Sequence, residues 1–110
     1  MPPNLELTLT TKTTIIMTKT KYIVVYDDNF KRELKKLSAK QQQMVMKKLK
    51  ILENNPYYQS LRTKKVLGIG TRDERYESSV NMDIRVIWRF EENKIIIVLD
   101  VGHHDVLKKY

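Results

Sequence analysis

A small α+β domain, with a first strand and a helical hairpin packed on one face of a twisted antiparallel sheet, is the fold this sequence predicts. Three observations carry it. Residues 29–53 hold two successive helical stripes of apolar residues, three or four apart. Residues 75–101 hold three strand-like runs joined by short polar turns, the pattern of a meander. The chain has 110 residues, enough for one domain and one modest core.

The elements follow in order. KYIVVY at 21–26 is β-branched and aromatic and reads as the first strand. Asp27 and Asp28 follow as N-cap candidates. A first helix then spans about 29–37, with Phe30, Leu34 and Leu37 on one stripe. Ser38 stops it and caps the next helix, because Gln41 stands three residues on and completes a capping box. The second helix covers 39–53, burying Val45, Leu49 and Leu52, with Met44 and Ile51 at its margins. Pro56 ends it by disfavouring helical backbone at Asn55. A short strand is expected near Val66, then a glycine-containing loop. RYESSV (75–80), IRVIWRF (84–90) and KIIIVLDV (94–101) are the meander strands, with NMD and EEN as turns. The last run is continuously apolar, as a central strand covered on both faces would be. The helices need one sheet face, which leaves the other for a concave site.

The formal net charge is +8. Between Asp28 and Lys50 stand eight basic residues against two acidic ones, which favours a polyanion or an acidic protein partner over a merely solvated helix face. There are no cysteines, so disulfides and thiolate metal sites are excluded, and a reducing cytoplasm suits the chain. No apolar stretch approaches the roughly 20 residues of a membrane helix. The N-terminus has no basic start, apolar block or small-residue cleavage site, so it does not read as a signal peptide. Residues 1–20 are expected to be a flexible or mis-assigned extension, with Met17 as an alternative start, and 21–110 the folded domain. The rival is an added edge strand, because LELTLT alternates with period 2.

Two places carry candidate chemistry. Alternation along 84–90 puts Ile84, Val86, Trp88 and Phe90 on one face, and Arg85, Ile87 and Arg89 on the other. Arg85 is thus planted on the face the helices do not need, where a planar guanidinium suits phosphate. An ion pair with Glu77 or Asp83 is the competing reading, and alternation leaves the two open. The second place is GHHD, which holds both histidines of the chain. Gly102 lets the backbone turn or bulge there. A two-histidine metal site lacks a third ligand, since adjacent histidines rarely chelate one ion. An acid/base histidine, oriented by Asp105, stands against plain strand-end polarity. Tyr57, Tyr58 and Tyr76 suit base stacking, though single tyrosines are more often core or rim.

Taken together, YIVVYDDNFKRELKKL, a lysine-rich hairpin ending in NNP, YESSVNMDIRVIW and IIIVLDVGHHD resemble the RelE/ParE superfamily of toxins from toxin–antitoxin modules. The resemblance covers about 22–110 and rests on the ordered set, since no single motif is highly specific. It implies the fold derived above and, on the RelE-like branch, a metal-independent ribonuclease that cuts mRNA on the ribosome without a cofactor. The implied reaction is attack of a ribose 2′-hydroxyl on the adjacent phosphate. The family's strand arginine falls on Arg85 as phosphate stabiliser. The position after V-G-x falls on His104; it is arginine in RelE and histidine in the YoeB and YafQ branches, as general acid. Tyr110 lies near a C-terminal tyrosine of RelE, and His103 is the spare. RelE carries lysines on the strand that begins at Tyr76, where this chain has Glu77 and Ser79, so the lysine scheme does not transfer. Glu77 is then the candidate base, as a glutamate is in the YoeB branch. Lys47, Lys48, Lys64, Lys65, Arg72, Arg75 and Arg89 are the expected RNA contacts. The resemblance also implies an acidic antitoxin partner in a hetero-oligomer, mRNA and ribosome as targets, and no membrane. A ParE-like gyrase inhibitor and an inactive antitoxin-binding relative are the alternatives, and Arg85 with His104 favours the ribonuclease over the gyrase inhibitor.

Overall fold

The computed structural model describes residues 21–105 and residue 107. The expectations for residues 1–20 and for Tyr110 lie outside them. The element order is β1 (Ile23–Tyr26), α1 (Asp28–Leu34), α2 (Ala39–Asn54), a 3-10 turn (Gln59–Leu61), β2 (Lys64–Leu67), β3 (Arg75–Ser79), β4 (Ile84–Glu92) and β5 (Ile95–His103).

Local chemistry sets the helix ends. Asp27 caps α1 by accepting from the Asn29 N–H at 2.9 Å. The helix closes at Leu34, short of the expected 37, because the chain tightens into i→i+3 bonds at Lys36 and Leu37. That tighter turn still buries Leu37. Both halves of the Ser38–Gln41 capping box form, at 3.0 and 3.1 Å, an arrangement worth about 0.5–2 kcal/mol. Val45, Leu49 and Leu52 are buried as expected, each leucine contributing roughly 1.5–3 kcal/mol.

The sheet order is β1-β5-β4-β3-β2. β3, β4 and β5 form the antiparallel meander, and β2 adds antiparallel to β3. β1 runs parallel to β5, so the sheet is mixed. The reason lies in β5: its apolar run needs a neighbour on each side, and β1 supplies the second. Tyr22 and Ile23 fasten that edge through N–H bonds to Glu53 and Lys94 carbonyls.

The core fills the space between helices and sheet. Trp88 is fully buried and stacks on Tyr76 at 4.5 Å, with Phe90 edge-on at 5.0 Å. The indole N–H donates to Ser78 Oγ at 2.9 Å, and Ser78 shares a 2.6 Å bond with Thr63, whose hydroxyl donates to the Pro56 carbonyl. A buried polar chain therefore ties β3 and β4 to the segment after α2.

Candidate active site

The strand registers decide which side chains share the face away from the helices. Ser79, Arg85 and Gly102 form one cross-strand row, and Lys64, Glu77, Ile87 and Asp100 the next. Arg85 thus stands on the open face, beside a residue with no side chain on β5. A register shift between Ile87 and Trp88 leaves Leu99 as the extra residue on β5. The bulge is there and not at Gly102, which stays in register, and β5 continues to His103.

Arg85 is held on two sides. Its Nε lies 3.2 Å from Glu77 Oε2, and its Nη1 donates to the Asn81 carbonyl at 2.6 Å. The pair is mostly buried, at 18% and 12% side-chain exposure. Of the two partners considered for Arg85, it is Glu77 that takes the guanidinium. Asp83 instead takes the Nδ1 of His103. The register explains this: His103 pairs with Ile84, on the helix side, and so turns away from Arg85. His104 follows in an exposed turn, its N–H bonded to the Asp83 carbonyl at 2.7 Å, with exposed Asp105 beyond. The three-residue turn Asn81–Asp83 therefore holds both Arg85 and the end of β5.

Other expected contacts disperse. Lys65 pairs with Glu74 at 3.2 Å, Arg89 with Glu91 at 2.6 Å, and Arg75 donates to the Asp73 carbonyl. Lys47, Lys64 and Arg72 are exposed, on α2, the β2 edge and the following loop. Tyr57 and Tyr58 are exposed, whereas Tyr76 is a core residue. Its hydroxyl donates to Glu74 Oε1, and burial first and that bond second push the phenol well above its usual range. Glu74 also accepts the Gly70 N–H, and this bond first, then Tyr76 and Lys65, holds its carboxyl below the usual range. Among the described residues, no group of three or more His, Asp or Glu side chains is placed to hold a metal ion. None of their helices is long and apolar enough to cross a membrane.

Two features escaped the sequence reading. Asp100 is a buried acidic residue on the face away from the helices, two ladder pairs along from Arg85. Its signal was present: a lone acid inside an otherwise apolar strand. The other is a cleft of about 360 Å³ where α2, the segment after the 3-10 turn and the β3–β4 turn meet. Lys48, Ser60, Arg62, Ser79, Asn81 and Arg85 line it. Arg62 gave no local signal at all.

No protein-family model and no curated protein matches the chain. Solved structures do match. A chain of the archaeal RelE–RelB complex from Pyrococcus horikoshii OT3 is 23% identical, covering 76% of this chain and 94% of that one, at a TM-score of 0.63. A chain of the E. coli DinJ–YafQ toxin–antitoxin complex is 14% identical, covering 80% and 98%, at 0.64. The YoeB/ParE toxin from Agrobacterium tumefaciens is 9% identical, covering 74% and 98%, at 0.60. The chain has the fold of the RelE/ParE toxins.

Proposed function

We propose that this protein is the toxin of a toxin–antitoxin pair, a cytoplasmic and metal-independent endoribonuclease that cleaves mRNA on the ribosome. The observation that carries the reading is the Arg85–Glu77 pair on the open face of a RelE-like sheet. A carboxylate and a guanidinium side by side are a base and a phosphate ligand in contact. Glu77 takes the proton of a ribose 2′-hydroxyl as that oxygen attacks the adjacent phosphorus. Arg85 stabilises the charge that develops on the phosphoryl oxygens. His104, beyond β5, protonates the departing 5′-oxygen. One O–P bond forms and one breaks, leaving a 2′,3′-cyclic phosphate and a free 5′-hydroxyl. Asp105 orients the imidazole, and His103 stays with Asp83 as a structural anchor. An antitoxin with an acidic segment neutralises the toxin by covering its basic surface.

The test is inducible expression of wild type, Arg85→Ala, His104→Ala and Glu77→Gln, followed by growth, translation and mapping of mRNA 5′ ends. Cleavage at codon boundaries that each substitution abolishes is the expected result. Intact mRNA with a supercoiling defect would transfer the protein to the gyrase-inhibitor reading. No toxicity from the wild type would reject both.

A further inference from the structure

We propose that Leu107 is a positioning residue: packed on Ile87, it latches the chain beyond β5 to the sheet face away from the helices, and so sets His104 for protonation of the departing oxygen. The proposal deepens the RNA-cleaving reading above and rests on it. Two observations meet in it, one from burial and one from the backbone of His104.

Among the described residues, the buried apolar side chains form one core between helices and sheet, with two exceptions. Ile87 and Leu107 lie outside that core, yet are only 0% and 4% exposed. Alternation explains Ile87. Its neighbours Val86 and Trp88 enter the core, so Ile87 stands on the other face. Its cross-strand row there is Lys64, Glu77 and Asp100, one base and two acids. The helices pack on the opposite face and cannot cover it. An isoleucine withdrawn from water among charged neighbours calls for an apolar cover. Leu107 meets that need. It is the one apolar residue described beyond β5, it is buried, and the main core does not take it. The distances agree. Ile87 lies three positions from Ile84, the partner of His103, or about 10 Å along the strand. The four residues from His103 to Leu107 reach up to about 14 Å.

The backbone supplies the second observation. The His104 N–H donates to the Asp83 carbonyl at 2.7 Å, and the His104 carbonyl accepts the Leu107 N–H at 3.2 Å. Both main-chain groups of His104 are therefore held, one by the β3–β4 turn and the other by Leu107. The second bond closes a 3-10 turn, which is weak by itself at a chain end that nothing ties down. The buried leucine side chain ties it down. His104 is exposed. Its imidazole has little packing of its own to set its direction, so its aim depends on these two bonds and on the leucine behind them.

The experiment uses the full chain and an mRNA programmed in the ribosome, made with either oxygen or sulfur at the bridging 5′ position of the scissile phosphate. A thiolate departs without a proton, so the sulfur substrate needs no acid. Leu107→Ala should lower kcat on the oxygen substrate about 10²-fold, the loss that a displacement of about 1 Å can bring, with KM unchanged. The sulfur substrate should be cut at the wild-type rate. Leu107→Met, of similar volume, should retain kcat. In a His104→Ala background, Leu107→Ala should change nothing more, because the two residues act as one unit. Circular dichroism checks the fold of each variant. Nuclear Overhauser contacts between the methyl groups of Leu107 and Ile87 check the latch in the wild type. Wild-type kcat in Leu107→Ala, or a loss that sulfur does not restore, overturns the positioning role while the RNA reading stands. Absence of the methyl contacts overturns the latch. If wild type cuts neither substrate, the RNA-cleaving reading fails and the positioning role with it.

Discussion

The Arg85–Glu77 pair yields a prediction that separates structure from chemistry. At 3.2 Å and an effective dielectric of about 20, the raw attraction is about 5 kcal/mol. Both side chains are largely withdrawn from water, at 18% and 12% exposure, so desolvation cancels much of that gain. A net coupling of about 1–3 kcal/mol remains, above the few tenths typical of exposed pairs. A double-mutant cycle with Glu77→Gln and Arg85→Met, read by urea unfolding, should return that coupling. Arg85→Met should be the costlier single change, at about 3 kcal/mol, because it strands a carboxylate in a mostly buried place. Glu77→Gln keeps a carbonyl acceptor for the guanidinium and should cost about 1 kcal/mol.

The same Glu77→Gln protein then decides the base. It leaves Arg85 in place and removes only the proton acceptor. Cleavage of an oligoribonucleotide should fall by about 10²–10⁴, the usual worth of a positioned general base. The fall should appear in kcat at temperatures where the variant is fully folded. A coupling below about 0.5 kcal/mol, the limit of ordinary additivity, would make the pair incidental. Wild-type kcat in Glu77→Gln would refute the base assignment whatever the coupling.

Three further outcomes follow from the structure. Ser78→Ala leaves the buried Trp88 indole N–H without its acceptor, at a cost of about 1–3 kcal/mol; calorimetry should show Tm lower by at least about 4 °C. Glu74 titrates below the usual carboxylate range because it accepts the Gly70 N–H, the Tyr76 hydroxyl and Lys65. A depressed carboxyl stabilises above its unfolded-state pKa and loses that contribution as pH falls through the folded one. The protection of the Gly70 amide, taken relative to its intrinsic exchange rate at each pH, should therefore fall on acidification, and Glu74→Gln should remove that fall. Arg62→Gly alone exchanges left-handed strain of about 1–2 kcal/mol for added unfolded-state entropy of about 0.4–1 kcal/mol. Its Tm should hold or rise, because the residue is the left-handed C-cap of the 3-10 turn, and a clear drop in Tm would show that the arginine side chain serves the fold.

Much of the fold was legible because local signals agreed with one another. The capping box, the Val45–Leu49–Leu52 stripe and the alternation of IRVIWRF each point to the element that forms. Where the reading stopped short, a longer-range fact was needed. The apolar run of β5 said that it is central but could not say that its second neighbour is β1 or that β1 lies parallel. The flexibility of Gly102 suggested a bulge, but Gly102 keeps register opposite Arg85 and the extra residue on β5 is Leu99. α1 ended early because i→i+3 bonds bury Leu37 as well as another helical turn would.

The candidate site shows the same division more sharply. Alternation alone placed Arg85 on the open face, since that depends only on its own strand. Its partner depends on register. Ser79 opposite Arg85 brings Glu77 within reach of the guanidinium, and Ile84 opposite His103 sends Asp83 to the imidazole. A one-residue slip in either ladder would exchange the faces, so no reading of single strands separates the two carboxylates. The two histidines differ for the same reason. His103 closes the ladder and is committed to Asp83, while His104 lies past the last pair. Arg62 lies beyond any pattern, because glycine or asparagine is the residue a left-handed position announces. A strained arginine, a half-buried lysine and a strand arginine become one cationic surface only when α2 and the β3–β4 turn are folded against each other. The Arg85–Glu77 pair is thus set by ladder register, and the surface around it by how the helical hairpin and the β3–β4 turn pack.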